Sequence, residues 1–224
     1  MTGVVLALLA QAVLAQPRDL QTLQIVLLTK GPAWTADTTS EVQSLQRAHA
    51  TYLSGLSISG RLAVGGTFAE AGDLRAMLVL KVPSEDEARA IAAAAPAVKA
   101  GRLAADVWSL TVAGNWFAVG LSKEDAATRR YVLGFLDAAS PPSLSDDDTQ
   151  ARLELLWRLR DAGALVLCGE LHGAAPHRGL VVLAVDSVPA ARALLTADPA
   201  LAVGRYSLAL HPWYAPEGAL KIAK

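Results

Sequence analysis

The sequence predicts an α+β protein built from two tandem ferredoxin-like βαββαβ modules, packed sheet to sheet as an intramolecular pseudo-dimer. Three observations predict it. First, Ala88-Arg89-Ala90-Ile91, Pro96-Ala97 and Gly101-Arg102 recur as Ala191-Arg192-Ala193-Leu194, Pro199-Ala200 and Gly204-Arg205, each at an offset of 103 residues. Over residues 60–102 the two copies share 17 identities in 43 gapless positions, and the Gly, Pro and Arg matches do not depend on the abundance of alanine. Second, apolar periodicity inside each copy alternates between strand and helix in the order β-α-β-β-α-β. Third, a four-stranded sheet with helices on one face leaves its other face apolar and bare, and a second copy in the same chain can cover it.

The elements follow in order. Leu23-Gln24-Ile25-Val26-Leu27-Leu28 has the length and branching of a strand and ends at Gly31-Pro32. Ser40 with Gln43 forms a capping box, and Val42, Leu45, Ala48, Tyr52, Leu53 and Leu56 then recur at helical spacing until Gly60. Leu62-Ala63-Val64 and Met77-Leu78-Val79-Leu80 are strands joined by the polar turn around Gly72-Asp73. Ser84 with Glu87 opens an alanine-rich helix that stops before Pro96, and a last strand runs from about Leu103 to Val112. The second copy repeats this with strands at Tyr131–Leu136, Leu165–Leu171, Leu180–Val185 and Tyr206–Leu210, and helices at Thr149–Ala162 and Ser187–Ala197. The modules span residues 22–117 and 118–216, with residues 217–224 as a C-terminal tail.

Composition narrows the function. With 20 Lys+Arg against 21 Asp+Glu the net charge is -1, so there is no basic footprint and nucleic acid is excluded as an expected partner. Charged residues are 18% and apolar residues 53%, which excludes disorder over most of the chain. The single cysteine, Cys168, allows no internal disulfide and no cysteine-cluster metal site. The apolar run from Val4 to Ala15 is too short to span a bilayer as a helix but matches the hydrophobic region of a secretory signal, with Val13-Leu14-Ala15 as the cleavage site. Residues 1–15 are therefore read as a signal peptide and the protein as periplasmic or secreted, without a membrane partner after cleavage. The leader Met1-Thr2-Gly3 lacks the usual Lys or Arg, and a buried N-terminal helix is the alternative.

Particular residues then resemble the YCII-related family, small proteins of the dimeric α+β barrel group. The first copy carries Gly31-Pro32-Ala33-Trp34-Thr35, His49-Ala50-Thr51-Tyr52-Leu53, Gly60-Arg61-Leu62, Gly66-Thr67-Phe68, Gly72-Asp73-Leu74-Arg75 and Pro96-Ala97-Val98-Lys99-Ala100-Gly101. The second carries Gly169-Glu170-Leu171, Arg178-Gly179, Asp198-Pro199-Ala200 and a terminal His211-Pro212-Trp213-Tyr214. The resemblance spans nearly all of the chain after the leader. It implies a helix histidine paired with an aspartate near the end of the first strand, a dyad implicated in a few members in dehydrochlorination or lactone-type chemistry. His49 matches the histidine, but its strand ends Leu28-Thr29-Lys30 without an aspartate. In the second copy Asp137 stands at the carboxylate position, while the 103-residue offset places Arg152 at that of the histidine. Neither copy holds a complete dyad.

Candidate site residues follow. His49 is the candidate general acid or base, since an imidazole at a helix surface can move a proton near neutral pH, and Asp137 is the candidate dyad carboxylate. Asp37, upstream in the loop, is a further carboxylate that could fold back on His49. Arg75 and Arg178, after the two β2–β3 turns, suit a substrate carboxylate or phenolate, with Trp34 as a cleft wall. Turn capping explains the arginines equally well, and packing explains Trp34, Trp116, Trp157 and Trp213. Cys168 reads as an inert strand thiol. His172, His177 and His211 lack the acidic partner of a metal site, and Asp146-Asp147-Asp148 suit a helix N-terminus better than calcium. No metal or cofactor is expected. Two functions remain: an exported monomeric module that binds a small molecule or is purely structural, and a lyase or isomerase acting on a small anionic or aromatic substrate through His49.

Overall fold

Strand β1 (Leu20–Lys30) is buried at six consecutive positions, Leu23 to Leu28, because both of its faces are covered. It opens a computed structural model that describes residues 20–69, 72–113, 117–119, 126–139, 144–173 and 176–222. The leader read as a signal peptide, Trp116 and the apex of the first β2–β3 turn lie outside these residues. Helix α1 (Ser40–Ile58) is capped one residue earlier than the capping box suggested: the Thr39 hydroxyl, not that of Ser40, accepts from the Val42 amide at 3.3 Å. Beyond its C-terminus Gly60 takes φ +75°, a left-handed turn open to glycine at little cost. Strands β2 (Leu62–Phe68) and β3 (Leu74–Leu80) follow, then α2 (Glu85–Ala94), capped by Ser84 as expected, the short α3 (Pro96–Lys99), β4 (Leu103–Ala113) and β5 (Phe117–Val119).

The second half contains β6 (Thr128–Ala138), α4 (Asp146–Asp161), β7 (Leu165–His172), β8 (His177–Leu183), α5 (Val188–Leu195), the short α6 (Pro199–Ala202), β9 (Tyr206–Pro216) and β10 (Leu220–Ile222). Ser145 caps α4, and Asp146, Asp147 and Asp148 occupy its first turn, where carboxylates complement the helix dipole. The expected tail thus carries β10, which pairs antiparallel with β5 as a small second sheet.

Eight antiparallel strands close one barrel in the order β1-β3-β2-β9-β6-β8-β7-β4. Each half contributes four neighbours in the same relative order, and the halves meet along two seams. At one, Thr67 and Phe68 of β2 pair with Tyr214 and Trp213 of β9; at the other, Ser109 to Val112 of β4 pair with His172 to Gly169 of β7. This corrects the expectation of two separate sheets laid face to face. Four-stranded sheets would leave their edges unpaired, and curling edge to edge buries the apolar inner faces while satisfying the edge amides.

Register separates inside from outside. Leu23, Ile25 and Leu27 alternate with Val26 and Leu28 along β1, and the two sets fall into different cores. The inner set packs with Met77, Val79, Leu133, Phe135 and Trp213; the outer set packs beneath Leu56 of α1 and Ile91 and Ala92 of α2. Bulges interrupt the ladders at corresponding places in the two halves: Arg75 and Arg178 are the extra residues of β3 and β8, and Ala63 and Val166 those of β2 and β7. A bulge re-aims the side chain it carries.

Candidate functional site

Asp137 lies near the end of β6, directly opposite His177 of β8 across the Arg178 bulge, so both side chains leave the same face. Their side chains meet: the Asp137 carboxylate is hydrogen-bonded to His177 Nδ1. A carboxylate only accepts, which assigns the ring proton to Nδ1 and leaves a lone pair on Nε2. The imidazole stacks on Phe135 with centroids 4.6 Å apart and an interplanar angle of 25°, and Trp108 meets it edge-on at 5.4 Å. Side-chain exposures of 24% for His177 and 25% for Asp137 put the pair at the rim of the barrel rather than in its packed interior. No other side-chain hydrogen bond of His177 is present among the described residues. The arrangement is that of an oriented imidazole able to take up a proton.

Asp137 does not join His49. His49 sits on α1, outside the wall of the first half, whereas Asp137 faces the barrel mouth, and the strands lie between them. The His49 Nδ1 atom is buried and lacks a hydrogen-bond partner among the described residues, so Asp37 does not orient it either. Burial lowers the basicity of this ring. At the corresponding place on α4, Arg152 lies 3.5 Å from Asp198 and stacks over Tyr206 at 5.1 Å. The first half has Ala95 where the second has Asp198, which is why His49 finds no carboxylate.

Arg75 and Trp34 are brought together, whereas Arg178 lies apart in the second half. Trp34 is flanked by the guanidinium groups of Arg75, 4.8 Å from its ring centroid, and Arg102, at 4.6 Å. Arg75 donates to the Gly72 carbonyl, and Arg102, almost wholly buried, donates to the Thr35 carbonyl at 2.8 Å. In the first half, therefore, the arginine serves the turn and the packing of the loop after β1.

Arg178 belongs to a cleft in the second half, between α4 and the outer face of β6, β7 and β8. Its lining includes Leu136, Leu153, Leu156, Cys168, Glu170 and Arg178, around a cavity of about 40 Å³. Cys168 is fully buried there, and desolvation pushes its thiol up to about 11, which keeps it protonated and inert, as expected. Burial also raises the Glu170 carboxyl above the ordinary carboxylate range, opposed by the charges of His172 and Arg178. A larger open groove of about 620 Å³ runs along β2 and the end of α1, past Leu53, Ile58, Gly65, Thr128 and Tyr214, and among the described residues no charged one lines it. Among the described residues no group of three or more His, Cys, Asp or Glu side chains is placed to hold a metal, and no helix is long and apolar enough to cross a membrane.

Sequence reasoning missed His177 and Glu170. The signal for His177 was the His177-Arg178-Gly179 stretch beside Asp137: a bulge there shifts the register by one, and only then does the histidine face the aspartate.

Comparison with known proteins adds the family. Residues 23–109 match the YCII-related domain. No curated protein matches the chain in sequence. Among solved structures, a chlorite dismutase variant from Candidatus Nitrospira defluvii is similar at 10% identity and a TM-score of 0.56, over 91% of this chain and 94% of that one. A heme-binding protein from Thermus thermophilus is similar at 11% identity and a TM-score of 0.54, over 91% and 92% of the respective chains. At such identities the likeness is one of fold. Residues 23–109 thus match the model of the YCII-related domain, within an antiparallel α+β barrel similar in fold to chlorite dismutase-like proteins.

Proposed function

We propose that this chain is an exported small-molecule-binding protein, made of two YCII-like ferredoxin-type modules in tandem, and that the cleft beneath α4 is its binding site. One observation carries the reading: an apolar cavity whose mouth bears a charged pair, Glu170 and Arg178, that is otherwise unused. The YCII match and the heme-binding fold neighbour are consistent with a ligand. Heme itself does not fit this cleft. The cavity has room for about three water molecules, no histidine lines it, and its thiol is held protonated. What remains is a small molecule with an apolar body and a polar head.

The test is a panel of small aliphatic and aromatic acids, followed by thermal shift and by tryptophan fluorescence, for which Trp157 on α4 is a nearby reporter. Cys168→Met fills the cavity and is expected to abolish ligand shifts while leaving the fold intact. Unchanged shifts in that variant would place the site elsewhere. Export is tested by finding Gln16 as the first residue of protein recovered outside the cytoplasm.

The Asp137–His177 pair favours a second reading, a lyase or isomerase that moves a proton on a small anionic or aromatic substrate. In that case turnover of lactones or aromatic acids is lost in His177→Gln and kept in His49→Ala. The reverse pattern would restore His49 as the acid or base, and no turnover by the unaltered protein would remove this reading.

A further inference from the structure

Glu170 and Arg178 reach the mouth of the α4 cleft from neighbouring strands, with Glu170 opposite Gly179 and Arg178 on the adjacent bulge. The two are close enough for the arginine charge to act on the carboxyl, yet neither side chain makes an ion pair or hydrogen bond among the described residues. The other cation of the cleft is already matched, since Arg152 is paired with the buried Asp198. A half-buried carboxylate and a guanidinium that face the same space without meeting form an unfinished ion pair. A carboxylate placed between them would gain the forked donors of Arg178 and be repelled by an ionised Glu170. With a proton on Glu170 the repulsion becomes an acid-to-carboxylate hydrogen bond.

We propose that the cleft, read as the binding site above, takes a short aliphatic carboxylate, held between Arg178 and the protonated Glu170 with its alkyl chain toward Leu153 and Leu156, and that one proton is taken up with it. The small cavity limits the alkyl chain to a few carbons. The groups facing Glu170 are Arg178 of β8, His172 and Cys168 of its own strand β7, Arg152 of α4 with its partner Asp198, and the uncharged Thr111 of β4, which is bonded to the His172 ring at 3.0 Å. Burial of Glu170 already favours the protonated form that the ligand requires.

The experiment is calorimetric titration of the whole chain with propionate, and with propionamide as its uncharged isostere, from about pH 5.5 to about pH 7.5, where propionate is ionised. Measuring in two buffers of different ionisation enthalpy counts the protons taken up. The expected result is uptake of about one proton and a Kd that weakens toward tenfold per pH unit. Glu170→Gln removes the pH dependence and keeps tight binding at the upper pH, Arg178→Gln weakens binding at least about tenfold, and His172→Gln keeps both the proton uptake and the pH dependence. Binding without proton uptake, pH dependence that survives in Glu170→Gln or vanishes in His172→Gln, or propionamide binding as well as propionate would each overturn the inference while leaving the cleft as a binding site. Absence of propionate binding at every pH overturns it too. The binding reading itself falls only if the wider acid panel also produces no shift that Cys168→Met blocks.

Discussion

A methyl group on Gly66 would lie 2.3 Å from the Trp213 indole, the largest side chain that is fully buried. Trp213 fills the barrel against this bare backbone, with Tyr131 tilted beside it at 5.9 Å. Gly66→Ala is therefore expected to cost about 2 kcal/mol or more, seen as a lower urea midpoint with an unchanged slope. Glu170 gives a pH-dependent counterpart. Its folded-state carboxyl is raised by burial, so its contribution is fully present below the unfolded value near 4.5 and is lost as pH rises through the folded value. Glu170→Gln should raise the melting temperature at pH 7 and leave it unchanged near pH 4. Equal shifts at both pH values would mean that burial of the charge is not the cause. These single-residue effects were only partly visible beforehand. Cys168 and the Ser84 cap follow from local sequence, whereas the unpaired state of Glu170 depends on which strand lies beside β7.

At the scale of elements, α6 has only four residues and holds its place through what it is tied to. Asp198 caps it, accepting from the Ala200 amide at 2.9 Å, and also faces Arg152 of α4 at 3.5 Å while only 2% exposed. Asp198→Ala removes both, strands a mostly buried guanidinium and is expected to cost about 3–5 kcal/mol. Asp198→Asn keeps the cap and should lose less. If the two variants were equally stable, the ion pair rather than the cap would carry the whole effect. The first half has no such tie. It has His49 and Ala95 at the corresponding positions, so the halves share their elements but not this ion pair. The element order, the ends at Gly60 and Pro96 and the acidic first turn of α4 were legible because each rests on interactions within a few residues of chain. The pairing of β5 with β10 was not, since the two lie about a hundred residues apart and each is only three residues long.

For the whole molecule, stability resides in closure. One seam joins β2 to β9 through two residue pairs and the other joins β4 to β7 through four, and the interior side chains of each half are covered by the other half. Cutting the chain near Lys123 should leave halves that aggregate alone and copurify when expressed together. Two soluble monomeric halves would contradict a shared interior. The intact chain should run as a monomer by light scattering, because closure leaves no four-strand edge free to pair with a second copy. Hydrogen exchange should open the β2–β9 seam before the β4–β7 seam, as fewer amides hold it.

By itself the sequence determined what is local or periodic: which segments are strands and helices, where most of them are capped, and that one pattern returns after 103 residues. It also placed Asp137 and Arg178 among the residues of interest. Tertiary structure alone decided that the sheets join edge to edge, that Asp137 meets His177 rather than His49, and that Glu170 faces Arg178 across a cavity. The reason is physical. Periodicity and capping are set within one or two turns of chain, but the partner of a side chain on a strand is set by register, and a single bulge residue moves that register by one.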